Sequence, residues 1–422
     1  MPGKSILHGP STGSGTVVVG VALIALLGLL CLGYSTGWDA TWRTVGVTPL
    51  HPHFFDMHAV TDHAACAAKG FNAYDLNSCN PKTKFNYPPV WLWLGYVGIN
   101  GSAAAWLSIL MTATAFGVVA TLLKGRSISN GALASMAILS PSVMMAVERG
   151  NIDLLILSLV GGAALIFSEQ KLSRVLWATA VIALAVVLKL YPIFCISLAA
   201  RFNRRTFLFA AALVIASLIY FAVISDFLPI IRLNTPTSGL LSYGYQAIFI
   251  GLDHLRGEGG RDPINLTSTR LPIALAIVTL ILAGATAAYI IRRRMSFCAV
   301  ADGAAGVAFL FGSGIYCGTF LLGTNFIYRL VFLLLCVPQL QDLASERFDN
   351  NARTATIGRV LQIAILLALW SNGNSNGHST FMLVPQLLDW SIFFALTTIL
   401  GFNFLNSATD LAGTDFRQPT DT

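Results

Sequence analysis

Residues 14–36 read SGTVVVGVALIALLGLLCLGYST, an apolar run without a charged side chain. A helix needs about 20 such residues to cross a bilayer. A second apolar segment begins near residue 102. Between them, residues 51–93 read HPHFFDMHAVTDHAACAAKGFNAYDLNSCNPKTKFNYPPVWLW, which is polar, aromatic and rich in histidine. An apolar chain has little reason to keep such a loop unless chemistry happens at the membrane surface there.

The pattern continues outward. Of 422 residues, 55% are hydrophobic and 11% charged, where soluble domains are about a quarter charged. Apolar runs recur at about 14–36, 102–123, 130–147, 152–168, 175–190, 191–201, 206–228, 271–291, 297–317, 321–341, 358–371 and 380–404. They are continuous rather than alternating, which excludes a β-barrel. The composition predicts an all-α polytopic membrane protein with about 12 transmembrane helices. The 191–201 run is short and shares the Leu190-Tyr191-Pro192 break, 321–341 carries Tyr328 and Arg329, and 358–371 is short. The first run lacks a convincing cleavage pattern and reads as a retained anchor.

The net charge of +7 comes from 26 basic and 19 acidic residues. No nucleic acid is implied, because short cytoplasmic loops collect Lys and Arg. With the 1–13 tail in the cytoplasm, the clusters at 124–126, 171–174, 201–205, 292–294 and 347–359 fall inside, as does a 406–422 tail. The core, 14–405, then has large extracytoplasmic loops at 37–101 and 229–270. In the second, the His254–Arg270 part is expected to be flexible. The location expected from this is a bacterial inner membrane, with both termini cytoplasmic and the site on the extracytoplasmic side.

This orientation leaves Asp56, Asp62, Glu148, Arg149, Asp153, Lys189, Tyr243, Arg329 and His378 at the outer boundary, where ionisable groups are costly and suggest a partner or a task. Mixed carboxylates and cations suit an enzyme that grips an anionic lipid and deprotonates an alcohol. Asp56, after two phenylalanines, is the candidate base, with Asp62 as rival; a helix N-cap or a surface acid is the plain alternative. The four histidines of the loop (51, 53, 58 and 63) have no defined metal spacing, so no metal is assigned. Arg329 is given to an anion because no acid near it in the sequence pairs with it, while Lys189 either snorkels or binds a lipid phosphate. Arg149 either neutralises Glu148 or faces a phosphate, with Asn151 or Asp153 on sugar hydroxyls. Asn86-Tyr87-Pro88-Pro89 fixes an extended entry to the next helix. Five of seven cysteines lie in apolar runs, while Cys66 and Cys79 share the large loop, where a disulfide is possible in an oxidising compartment.

Taken in order, these pieces resemble the polyprenol-phosphate-mannose-dependent mannosyltransferases, glycosyltransferase family 87 of the GT-C superfamily. The resemblance is carried by Asp56, Lys69-Gly70-Phe71-Asn72-Ala73-Tyr74, Phe85-Asn86-Tyr87-Pro88-Pro89, Glu148-Arg149-Gly150-Asn151-Ile152-Asp153, Leu188-Lys189-Leu190-Tyr191-Pro192 and Asn325-Phe326-Ile327-Tyr328-Arg329. It implies a GT-C-type fold and an inverting, metal-free transfer of mannose or another sugar from a polyprenyl phosphate, with no cofactor, in cell-envelope biosynthesis. The acceptor is expected to be an extracytoplasmic glycolipid or glycan. Asp56 would be the general base, and Lys189, Arg329 and Arg149 would hold the donor phosphate. Asn86, Tyr87, Asn151, Asp153, Tyr243 and His378 would contact sugar or acceptor. Ala59, Val60 and Thr61 replace the family's aromatic hydroxyls, which leaves the sugar open. The competing classes are a lipid-linked sugar flippase and an oligosaccharide ligase.

Overall fold

A computed structural model describes residues 14–75, 79, 83–169, 171–201, 203–236, 241–258, 266–293, 295, 297–345, 352–371 and 383–414. Among them, seven helices are long and apolar enough to cross a membrane: Gly15–Thr36, Gly101–Leu122, Arg204–Val223, Leu271–Arg292, Ala304–Leu321, Ala352–Ser371 and Leu383–Thr409. Two bent pairs raise this to as many as nine, Ile128–Ile138 with Pro141–Arg149 (54°) and Ile327–Leu335 with Val337–Ala344 (51°). Pro141 and Pro338 sit at these breaks, where proline removes a backbone donor and fixes φ.

The chain is therefore an all-α polytopic membrane protein, as its composition predicts. Twelve crossings are not confirmed. Asp153–Phe167 and Leu172–Leu188, at about 1.5 Å per residue, and the 3-10 segment Tyr191–Ala200, at about 2 Å, are apolar but shorter than a bilayer's hydrocarbon core of about 30 Å. The 321–341 run is not one straight helix either. A two-residue strand, Asn325–Phe326, interrupts it and pairs antiparallel with Ser242–Tyr243, setting Tyr243 opposite Asn325.

Ala304–Leu321 is the central helix: 83% of its apolar window is buried, against 22% for Leu271–Arg292. Its glycines let neighbours close in. A side chain at Gly314 would strike Ser197 and one at Gly318 would strike the Phe194 ring, so the Tyr191–Ala200 segment packs directly on the helix backbone. Peripheral helices turn Ile24, Trp177, Ile219 and Ile281 outward, a surface suited to lipid.

Helices run through both large loops among the described residues. The first contains helices Trp38–Thr44 and Phe55–Ala68. It is closed by a Cys66–Cys79 disulfide and tied to the bundle by Trp91, whose indole N–H donates to the Leu188 carbonyl at 2.9 Å. The second carries helices Leu228–Asn234 and Ala247–Glu258. Asp253, just before the part expected to be flexible, accepts from the N–H groups of Leu266 and Thr267 at 2.8 and 3.1 Å, starting a short 3-10 turn; residues 259–265 lie outside the described residues.

Candidate active site

Asp56 owes its place to the residues before it. Phe54 adopts the left-handed conformation (φ 59°) and its carbonyl accepts from the N–H groups of Met57 and His58. The chain thus turns sharply into the Phe55–Ala68 helix with Asp56 in its first turn. The Phe54 ring is buried edge-on against Trp38 at 5.1 Å. From the other side comes the Glu148–Asp153 turn. Gly150, also left-handed (φ 58°), lies so close that a side chain there would meet Ser108 and Phe54.

That approach brings the Asn151 side-chain amide to Asp56, to whose Oδ2 it donates at 2.5 Å. Asn151 Oδ1 in turn accepts from the Asp153 N–H at 2.9 Å and from Lys189 Nζ at 3.3 Å. Fully buried Asp153 accepts from Lys189 and from the Tyr191 hydroxyl (2.7 Å) at Oδ1, and from Arg329 Nε (3.4 Å) at Oδ2. Arg329 also donates to Asn325. A buried charge network runs from Asp56 through Asn151 to two cations.

In front of it opens a cavity of about 300 Å³, lined by Asp56, Thr83, Lys84, Asn86, Tyr87, Arg149, Asn234 and Tyr328 among others. Asp56 Oδ1 has no hydrogen-bond partner among the described residues, whereas Oδ2 is held. Burial pushes the Asp56 carboxyl above the ordinary carboxylate range, against the pull of Arg149, the Asn151 amide and Lys189. The Tyr87 phenol is pushed up by burial and then by the nearby Asp56 charge. A carboxylate with one oxygen fixed, the other open and its basicity raised is arranged to take a proton from a hydroxyl.

Against this geometry stands a family match. The model of glycosyltransferase family 87 fits residues 85–314, more than half of the chain. The chain belongs to glycosyltransferase family 87. No curated protein matches it. A looser likeness is to the crystal structure of ArnT from Cupriavidus metallidurans in the apo state, at 13% identity and a TM-score of 0.39, over 95% of this chain and 78% of that one. The family-matched span contains Asn86, Tyr87, Arg149, Asn151, Asp153, Lys189 and Tyr243, while Asp56 and Arg329 lie outside it.

In this family-87 chain the expected residues divide into three groups. Asp56, Asn86, Tyr87 and Arg149 line the cavity. Asn151, Asp153, Lys189 and Arg329 form the network behind it. Tyr243 is buried farther off and shares a 2.7 Å hydrogen bond with the Thr319 hydroxyl, and His378 lies outside the described residues. One expectation fails: Arg329 does have an acid, Asp153, reached from a distant element. Asp62, the rival base, pairs with His58 at 3.4 Å and does not line the cavity. The other loop histidines are occupied too. His51 contacts Asp39, His53 stacks on Trp38, and His63 bonds the Ala59 carbonyl, with burial lowering its pKa. Sequence reasoning missed Thr83, Lys84, Asn234 and Tyr328 as cavity residues. Lys84, two positions before Asn86, was detectable as a cation beside the proline-fixed entry. Asn234 had no local signal; its amide reaches the Phe85 carbonyl across 149 residues.

Proposed function

We propose that this chain is an inverting membrane glycosyltransferase that moves a sugar, mannose or another hexose or pentose, from a polyprenyl phosphate to a hydroxyl of an extracytoplasmic glycolipid or glycan. The observation that carries the reading is the open oxygen of Asp56 in a cavity that also presents Arg149 and Lys84. In the reaction, Asp56 Oδ1 takes the proton of the acceptor hydroxyl as its oxygen bonds to the anomeric carbon. The bond from that carbon to the phosphate oxygen breaks, and polyprenyl phosphate leaves with the electron pair. A phosphate leaves well, so one carboxylate suffices.

Arg149 is the favoured phosphate ligand. Its Nε pairs with Glu148 only at long range (3.8 Å) and makes no hydrogen bond among the described residues. Lys84 is the second. Lys189 and Arg329, engaged by Asp153, act one step back: Lys189 holds Asn151, and through it Asp56, and both cations lend positive potential to the leaving group. Asn86, Tyr87, Asn234 and Tyr328 remain for sugar and acceptor hydroxyls.

The test is transfer from radiolabelled polyprenyl-phosphate sugars in membranes. Asp56→Asn is expected to lower it by about 10²–10⁴-fold at normal expression. Near-normal turnover in that variant sinks the assignment. Labelling only from a pyrophosphate-linked oligosaccharide points instead to a ligase.

A further inference from the structure

We infer that the end of the bundle opposite Asp56 holds a phosphate-binding site, built from the buried Arg201 guanidinium and the N-terminus of the Ala304–Leu321 helix. Tyr191–Ala200 begins beside Asp153 and ends at Arg201, which separates the two places by roughly 20 Å along a 3-10 segment.

Arg201 is 8% exposed. Its Nη1 donates to the Asp302 carbonyl at 3.3 Å, while Nε and Nη2 have no partner among the described residues. The guanidinium lies along the first turn of the helix, since a side chain at Gly306 would meet Nη2. The helix start is bare. Gly303 offers no side-chain cap, and both Gly306 and Val307 return their N–H groups to the Gly303 carbonyl. The N–H groups of Ala304 and Ala305 find no backbone acceptor among the described residues.

A cation has thus been buried against the positive end of a helix dipole. Two like features in a low dielectric repel, and each unpaired guanidinium nitrogen adds a desolvation cost. Exposed Arg204 and Arg205 add positive charge next door. The nearest acid, Asp302, offsets part of this, but its exposed carboxyl makes none of the missing hydrogen bonds. A tetrahedral phosphate supplies what is lacking: two non-ester oxygens, which between them can accept from the guanidinium fork and from the helix N–H groups. An anionic phospholipid headgroup and free inorganic phosphate share this chemistry.

The experiment uses the full chain in neutral detergent and follows its melting temperature. Phosphatidylglycerol, phosphatidylcholine and inorganic phosphate are titrated separately. Phosphatidylglycerol is expected to raise the melting temperature, and phosphatidylcholine is not. Arg201→Gln should need at least about tenfold more lipid for the same rise, while Arg204→Gln behaves as wild type. A rise with inorganic phosphate as well assigns the site to the free anion; a rise with the lipid alone assigns it to the headgroup. Arg201→Lys, which keeps the charge without the fork and spares the fold, should fall between. The site is overturned by an unchanged response in Arg201→Gln, by a full wild-type response in Arg201→Lys, or by no rise with either phosphate probe.

Discussion

Phe54 is the one residue other than glycine with positive φ among the described residues. For a bulky side chain that conformation costs about 1–2 kcal/mol, and it persists because Trp38 and Gly150 pin the ring. Gly150→Ala is therefore expected to lower stability by roughly 1–3 kcal/mol, since it adds its own left-handed strain to a clash with Ser108 and Phe54. Thermal unfolding in detergent would measure it, and transfer should fall more steeply than stability because the Asn151–Asp56 contact depends on the same approach. Asn151 also governs proton affinity. As the proposed base, Asp56 would work only when deprotonated, so activity is expected to be lost as pH falls through its folded pKa, which burial places above the ordinary range. The amide favours the charged form. Asn151→Ala is expected to move the acid limb of the kcat profile to higher pH, and an unmoved limb would show that the titrating group is not Asp56.

Asp153 joins three elements: the helix it begins, the break at Lys189 and the 3-10 segment carrying Arg329. With one acid between two part-buried cations, its removal leaves both without a carboxylate. Asp153→Asn is expected to cost roughly 3–5 kcal/mol, more than Lys189→Met, which leaves the Asp153–Arg329 pair intact. Chemical denaturation of the two variants side by side decides the order. This hub also marks the limit of what was legible in the sequence. Asp153, Lys189 and Arg329 each stood out, because charge at a membrane boundary is costly wherever it occurs. Their pairing did not, since Asp153 meets Lys189 across 36 residues and Arg329 across 176, and no helical or turn period links such positions. Reading only near neighbours left Arg329 apparently without an acid. The spans fared better: a helix in lipid is specified by its own composition, with every backbone bond made internally. Breaks at Pro141 and Pro338 divided runs whose apolar composition alone looked continuous.

At the scale of the whole molecule, two polar ends face apart. One holds the Asp56 cavity, the disulfide-closed loop and the aromatic Trp91–Trp93 entry; the other holds Arg201, Arg204 and Arg205. The Gly101–Leu122 helix connects them, with exposed Ser102 at its first end and exposed Lys124 just past its second. The excess of Lys and Arg at the Lys124 end predicts that it faces the cytoplasm, which puts Asp56 outside, where lipid-linked sugars would have to be presented. Single-cysteine labelling tests this on the intact chain. The described native cysteines interfere little: Cys66 and Cys79 are joined, four others are buried, and Cys31 sits in an apolar span. In whole cells, an impermeant maleimide should label Ser102→Cys at once and reach Lys124→Cys only after the membrane is opened. The reverse pattern would put the Asp56 carboxylate in the cytosol, and with it any acceptor that the enzyme glycosylates.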